Sequence, residues 1–326
     1  MKLLNVSGSP HVHSDESTKK IMWRVNLALA PALIVAIAYF GLNALLISIV
    51  SVGSCILFQW LIEKFILKTK STICDGSAVV TGLLLAFNVP ATREMILLVI
   101  IAALVAIGIG KMSFGGLGKN PFNPALVGRV FMLISFPVQM TTWPKPNFNG
   151  EFFSIASTPT TDITTGATPL GLFKEGGLEA VPDIWQYFIG HMGGSLGEVS
   201  ALAILIGAIY LLCRRIISWH IPVTFIGTAF IFSGILWLCD KTAFLDPVTT
   251  ILTGGIMLGA CFMATDMVTS PMTKAGQLIF GFGCGLLTII IRNWGNYPEG
   301  VSFAILLMNA VTPLLNRWFK PKRFAV

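Results

Sequence analysis

At 326 residues, 54% hydrophobic and only 11% charged, with a mean hydropathy of +0.79, the chain has too few polar groups to cover a water-soluble globule. A formal charge of +7 would suit a nucleic-acid partner in a soluble protein. Here the basic residues collect between apolar runs, as they do in a polytopic membrane protein, so nucleic acid is excluded and lipid is the expected surroundings.

In chain order, the first twenty or so residues are polar and carry His11, His13, Asp15 and Glu16, with no small-residue cleavage site after the first apolar run. They read as a retained tail ahead of a first span. A helix needs about 20 apolar residues to cross a bilayer, or fewer when it is interrupted and buried in protein. On that scale about ten runs qualify. In the first half they fall at approximately 22–40, 42–63, 75–90, 95–111 and 122–138, and in the second at approximately 196–213, 220–238, 247–265, 273–291 and 300–316.

With the N-terminus placed in the cytoplasm, only Arg93, Lys145, Lys174, Lys241 and Arg292 fall outside, and Arg129 lies within a span. All the other Lys and Arg residues fall inside. Both termini are therefore predicted to be cytoplasmic. The expected organisation is all-α, with a cytoplasmic tail (1–21), a first five-helix unit (22–138), an outer loop (139–195), a second five-helix unit (196–318) and a short cytoplasmic tail (319–326).

The two units echo one another. Asp75-Gly76 opens a short run containing Thr81-Gly82, and at nearly the same offset Asp246-Pro247 opens another containing Thr253-Gly254. An odd number of spans per unit makes the second copy inverted, which places functional sites where the interrupted helices meet.

Several polar groups stand out against this background. Gly118-Lys119-Asn120-Pro121-Phe122-Asn123-Pro124-Ala125 puts two Asn-Pro steps at the mouth of a span, where proline disfavours the helical region before it and asparagine amides can serve the freed backbone groups. A few residues on, Arg129 is costly in a span unless it meets a carboxylate, helix-end carbonyls or an anion. Asp75, Asp246, Asp266 and an anionic cofactor are its candidate partners, with structural pairing favoured over cofactor contact. Asp266, in Met263-Ala264-Thr265-Asp266-Met267-Val268-Thr269-Ser270-Pro271, is expected to cap the following turn or to pair with Arg129 or Lys274, in preference to a part in ion passage. Trp294 and Tyr297 read as interface anchors.

The six cysteines are scattered with no C-x-x-C pair, and the four histidines lie in tails and loops. No metal ligands are assigned, and haem or an iron–sulfur centre carried by this chain alone is not expected. No catalytic nucleophile–base pair, P-loop or dinucleotide fingerprint is present, so redox chemistry would have to come from a bound cofactor.

The outer loop is rich in hydroxyls and contains Asp162-Ile163-Thr164-Thr165-Gly166-Ala167-Thr168-Pro169-Leu170. A Thr-rich surface turn would explain the composition but not the order. Asp162, Thr165, Gly166, Ala167 and Thr168 fill a pattern that resembles the D-x-x-[S/T]-G-A-T signature at which a flavin transferase attaches FMN, through its phosphate, to the last threonine. Together with N-P-F-N-P-A at the fifth run and M-A-T-D-x-V-T-S-P after the eighth, it makes the whole chain resemble the D subunit of the Rnf electron-transport complex. That family is related to the B subunit of the sodium-translocating NADH:quinone oxidoreductase, and the short N-terminal tail is nearer the Rnf side.

The resemblance implies a urea-transporter-like fold of ten helices in a prokaryotic cell membrane, with covalent FMN on Thr168. It further implies other membrane and peripheral Rnf subunits as partners, one of them FMN-bearing, and membership of an ion-translocating ferredoxin:NAD+ oxidoreductase coupled to Na+ or H+. Members of the wider family can hold a second, noncovalent riboflavin, and no residue in the sequence marks that site. Asn123 and Arg129 are carried forward as candidate cofactor contacts. The competing readings are a solute channel or carrier, and a scaffold subunit without cofactor.

Overall fold

A computed structural model describes residues 16–69, 71–144, 194–198, 200–241, 243–295 and 299–320. Those residues are helical or irregular, with no strand among them, and four helices are long and apolar enough to cross a membrane: Thr18–Leu67, Met95–Phe114, His220–Cys239 and Lys274–Trp294. The protein is membrane-embedded.

The first helix, α1 (Thr18–Leu61), starts on a Ser17 cap whose Oγ accepts from the backbone N–H of Lys20. At 44 residues it would be about 66 Å long if straight, twice a bilayer core. It is not straight. Gly41 breaks it with φ 63° and ψ −145°, a conformation glycine reaches without steric penalty. Its two arms then return to one level: near the start Asn26 donates to the Gly76 carbonyl, and near the end Gln59 Nε2 donates to Thr72 Oγ1. The two adjacent runs expected at 22–40 and 42–63 therefore correspond to the arms of one folded-back helix. A π-helical turn (Ile62–Leu67) extends the second arm.

Short α2 (Ser77–Phe87) packs along α1. At Gly82 an added Cβ would sit 2.6 Å from Val52 Cα, so only glycine permits that approach. Next come α3 (Met95–Leu104, continuing as a π-helical turn to Ile109), α4 (Pro124–Ser135) and the single turn α5 (Pro137–Met140). The later part contains α6 (Ala201–Cys213), α7 (His220–Cys239), α8 (Pro247–Leu252), α9 (Ile256–Leu258, running into a π-helical turn Gly259–Met263), α10 (Lys274–Trp294) and α11 (Val301–Trp318).

The two parts interlock. Helix α6 packs on α1, and at Gly207 an added Cβ would lie 2.1 Å from the Ala28 carbonyl oxygen. Helix α11 packs on α4. The shared core is built largely from small and aliphatic side chains around Leu29, Ile47, Phe87, Phe225 and Phe280. Large apolar side chains such as Ile34, Leu97, Ile231 and Leu238 face outward, as a lipid-facing surface requires.

The cysteines are free; Cys55, Cys261 and Cys284 are buried, whereas Cys213, which the sequence places inside an apolar run, is exposed at the end of α6. Among the described residues no group of His, Cys, Asp or Glu is arranged to hold a metal ion.

Candidate functional site: an inner cleft and a buried charge cluster

Asp162, Thr165, Gly166, Ala167 and Thr168 lie outside the described residues, as does Tyr297. Two polar constellations lie within them.

The first is a cleft at the end of the bundle where α2 and α4 begin. Its polar lining comprises Ser77, Thr81, Lys111, Asn120, Asn123, Thr265 and Asp266, with Ile21, Val25, Leu84, Leu211, Ile216 and Phe262 among its apolar walls. Each polar group is placed by a local rule. Asp75 Oδ1 accepts from the Ser77 N–H at 2.8 Å, at the first residue of α2, whose N-cap position is Gly76. Asn123 caps α4: its Oδ1 accepts from the Ala125 N–H at 3.1 Å, and Pro124 takes the first helical position, where its missing N–H costs nothing.

The other end of the Asn123 amide donates to the Met263 carbonyl at 3.2 Å, tying α4 to the end of the π-helical turn that follows α9. Asp266 caps its own turn, accepting from the Val268 N–H and the Thr269 hydroxyl, and does not pair with Arg129 or Lys274. Lys111 is buried and donates to Gln59 Oε1 at 2.8 Å and Ser77 Oγ at 2.7 Å. Asn120 donates to the Phe122 carbonyl, while its buried Oδ1 has no hydrogen-bond partner among the described residues.

Two helix N-termini and an ammonium thus converge on apolar walls, beside one unused amide acceptor. This suits a flat ring carrying carbonyl oxygens and an N–H, in which negative charge can build up.

The second constellation is buried between the two parts of the chain. Arg129, 5% exposed, forms an ion pair with Glu299 and donates to Asn88 Oδ1. The sequence-based partners Asp75, Asp246 and Asp266 are thereby replaced by a glutamate from the segment before α11. Its short sequence context, Pro298-Glu299-Gly300, reads as an ordinary loop.

Arg292, read from sequence as an outer-loop cation, is 3% exposed inside α10 and donates to the carbonyls of Thr250, Thr253 and Gly254. These are the carbonyls left open where α8 ends and the backbone breaks before α9. Asp246 caps the start of α8, whereas Asp75 lies one residue before the Gly76 cap of α2 and accepts from the Ser77 N–H. The echo is imperfect, because Thr81-Gly82 stays helical inside α2 while Thr253-Gly254 interrupts its helix.

Glu198 interacts electrostatically with both arginines and accepts from the Ser195 N–H and hydroxyl. Beside it the backbone N–H groups of Leu196 and Gly197 donate to the carbonyls of Val89 and Phe87, closing the end of α2. Arg129 and Arg292 do not line the cleft, so of the two candidate cofactor contacts the structure brings only Asn123 to it. Lys111, Glu198 and Glu299 are not marked in the sequence, because each sits in an unremarkable local context and gains meaning only from distant partners, whereas Asn120 stands in the first of the two Asn-Pro steps.

A sequence profile of the NQR2, RnfD, RnfE family matches residues 5–325. The chain belongs to this family. Similar curated members include the D subunit of the Na(+)-translocating ferredoxin:NAD(+) oxidoreductase complex of Acetobacterium woodii, 45% identical over 99% of this chain and 96% of that protein. The D subunit of the proton-translocating ferredoxin:NAD(+) oxidoreductase complex of Clostridium ljungdahlii is 42% identical over the same shares. The D subunit of the ion-translocating oxidoreductase complex of Stutzerimonas stutzeri is 36% identical over 94% of this chain and 92% of its own length.

Proposed function

We propose that this chain is the flavin-carrying D subunit of an Rnf-type complex, an ion-translocating ferredoxin:NAD+ oxidoreductase of the prokaryotic cell membrane. The observation that carries this reading is end-to-end similarity to two chains named as the D subunits of such complexes, combined with an intact Asp162-x-x-Thr165-Gly166-Ala167-Thr168 pattern. The named coupling ion differs between those two relatives, so identity to them favours neither Na+ nor H+.

In this reading the chain has ten transmembrane segments in two inverted five-helix units (22–138 and 196–318), and both termini are cytoplasmic. The loop at 139–195 faces outward, where a flavin transferase esterifies FMN to Thr168. The folded-back α1, the aspartates that accept from backbone N–H groups at the starts of α2 and α8, and the interruptions at the ends of α2 and α8 support this arrangement. The remaining Rnf subunits, one of them FMN-bearing, are its partners.

A noncovalent flavin occupies the inner cleft, supported by the unused Asn120 acceptor, the Lys111 ammonium and the two helix N-termini. Bound flavin supplies one-electron transfer. The protein contributes apolar walls that exclude water, Asn120 Oδ1 to accept a ring N–H, and Lys111 to hold negative charge.

Covalent flavin is tested on material from the native host. A denaturing gel is expected to fluoresce under ultraviolet light at this subunit, and the peptide containing Asp162 to Thr168 should carry an FMN-sized mass increment. Thr168→Val should lose both, and should lose ion uptake in liposomes while the complex still assembles. A bare Thr168 in the native complex would refute the electron-carrier reading and leave the carrier or scaffold alternatives.

A further inference from the structure

Lys111 lies where the π-helical turn after α3 ends, beside the cleft, and brings more than a charge to it. Two of its three ammonium hydrogens are committed, one to Gln59 Oε1 and one to Ser77 Oγ. Ser77 Oγ in turn donates to Asp75 Oδ1 at 2.6 Å, and Asp75 is half-buried, so solvent reaches it. A continuous chain of exchangeable hydrogens therefore runs from the half-buried Asp75 carboxylate through a hydroxyl to an ammonium that lines the cleft.

The two arms at Lys111 differ in kind. Gln59 accepts from Lys111 with its carbonyl while its NH2 donates to Glu63 Oε1 and Thr72 Oγ1, and an amide held this way does not exchange donor for acceptor. That arm fixes the lysine. Ser77 is a hydroxyl, both donor and acceptor, so its hydrogen can point to Asp75 or to Lys111.

The charged and titratable groups facing Lys111 are Asp75 from the turn before α2, Glu63 and Cys55 from the second arm of α1, and Asp266 from across the cleft. Glu63 is held by Thr72 and Gln59, and Asp266 by its own turn. Only Asp75 is joined to Lys111 through a single hydroxyl.

We propose that Lys111 is the proton donor of the inner cleft and that Asp75, acting through Ser77 Oγ, reloads it. When the ring in the cleft takes one electron from the redox chain of the complex, an N–H bond of Lys111 breaks and an N–H bond forms on the ring. Ser77 then passes its hydrogen to Lys111 Nζ and receives the proton that the Asp75 carboxylate takes up from water. The sum is one electron and one solvent proton per ring. This inference rests on the proposed flavin occupancy of the cleft.

The test uses the purified native complex. Acid extraction first measures noncovalent flavin, and absence of any from the wild type would overturn both the occupancy and this inference. Rapid-mixing reduction in weak buffer with a pH indicator then follows ring bleaching and proton uptake together. In the wild type the two should coincide, at one proton per noncovalent flavin and with a solvent deuterium isotope effect.

Lys111→Met should slow the proton-coupled phase about a hundredfold per noncovalent flavin that the variant retains, within the usual contribution of a positioned general acid. Lys111→Arg keeps the charge but releases no proton, and should be as slow as Lys111→Met. It also carries the test if the methionine variant fails to assemble. Asp75→Asn should leave the first turnover intact and slow later ones. Full rescue by Lys111→Arg would reduce Lys111 to an electrostatic role and overturn the proposal, as would unchanged kinetics in Lys111→Met.

Discussion

Breaking the Arg129–Glu299 pair from one side and then from both gives the sharpest test of how the two parts of the chain are held. Both side chains are buried, and the interior around them offers few substitutes. Removing one member of a buried ion pair costs about 3–5 kcal/mol, because the survivor keeps its desolvation penalty without its partner. The two single substitutions should not be equal. In Arg129→Met, Glu299 loses its ion-pair partner while its Oε1 already has no hydrogen-bond partner among the described residues, so the loss should lie near 5 kcal/mol or beyond. In Glu299→Leu, Arg129 keeps Asn88 Oδ1 and the field of Glu198, so the loss should lie near 3 kcal/mol.

The double variant Arg129→Met/Glu299→Leu removes both charges and leaves apolar side chains of similar bulk. It should fall short of the sum of the singles by about 3 kcal/mol or more. The readout is the apparent Tm of the detergent-purified full-length chain at one fixed scan rate, since unfolding of such proteins is a rate as much as an equilibrium. At about 2 °C per kcal/mol for a chain of this size, Arg129→Met should melt about 10 °C low and the double variant no lower than that, against about 16 °C if the two losses added. A double variant as unstable as the two singles added together would show that the pair is not a unit, and the reasoning would fail.

Other substitutions probe the remaining junctions. Gly207→Ala would put a Cβ 2.1 Å from the Ala28 carbonyl oxygen, so α6 and α1 must separate and the Tm should fall by an amount equivalent to about 1–3 kcal/mol. Arg292→Lys keeps a cation but can serve only part of the three carbonyls now bound by the guanidinium. It should lose about 2–3 kcal/mol by the same assay, and a loss below about 0.5 kcal/mol would refute the capping role. Asn123→Ala removes both the α4 cap and the bond to Met263, whereas Asn123→Asp should recover only the cap, worth about 1 kcal/mol.

What the sequence conveys here depends on distance along the chain. Local rules work. The Asp246-Pro247 and Asn123-Pro124 steps announce helix starts, and the structure has caps there whose side chains accept from nearby backbone N–H groups. Apolar run length likewise marks helices at His220–Cys239 and Lys274–Trp294. Partnerships across the fold are not encoded this way. Arg129 is visibly expensive in an apolar run, yet its partner Glu299 lies in a loop far along the chain, and no spacing rule connects the two. Arg292 is placed at a run's edge by hydropathy and read as a loop residue, because the carbonyls that need it exist only once α8 has broken at Thr253-Gly254. The cleft is legible only in part: Asn123 is suggested by the Asn-Pro steps, while Lys111 passes for a basic residue at the inner end of a span.

The same long-range bonds bear on the choice between a carrier and an electron-transfer subunit. A carrier that alternates its access moves one bundle of helices against another around a fixed site. Here the early and late parts of the chain are joined by the Arg129–Glu299 pair, by Asn123 to the Met263 carbonyl, and by the Leu196 and Gly197 N–H groups to the carbonyls of Val89 and Phe87. Where water is excluded, each broken bond leaves a bare polar group at about 1–3 kcal/mol, more for the charged pair. Rocking the parts would have to break several of these bonds together and find new partners for every one. Electron transfer asks the opposite of the protein. Cofactors must stay at fixed separations while charge moves between them, so a framework closed by mutual capping of its helix breaks suits a redox subunit better than a rocking carrier.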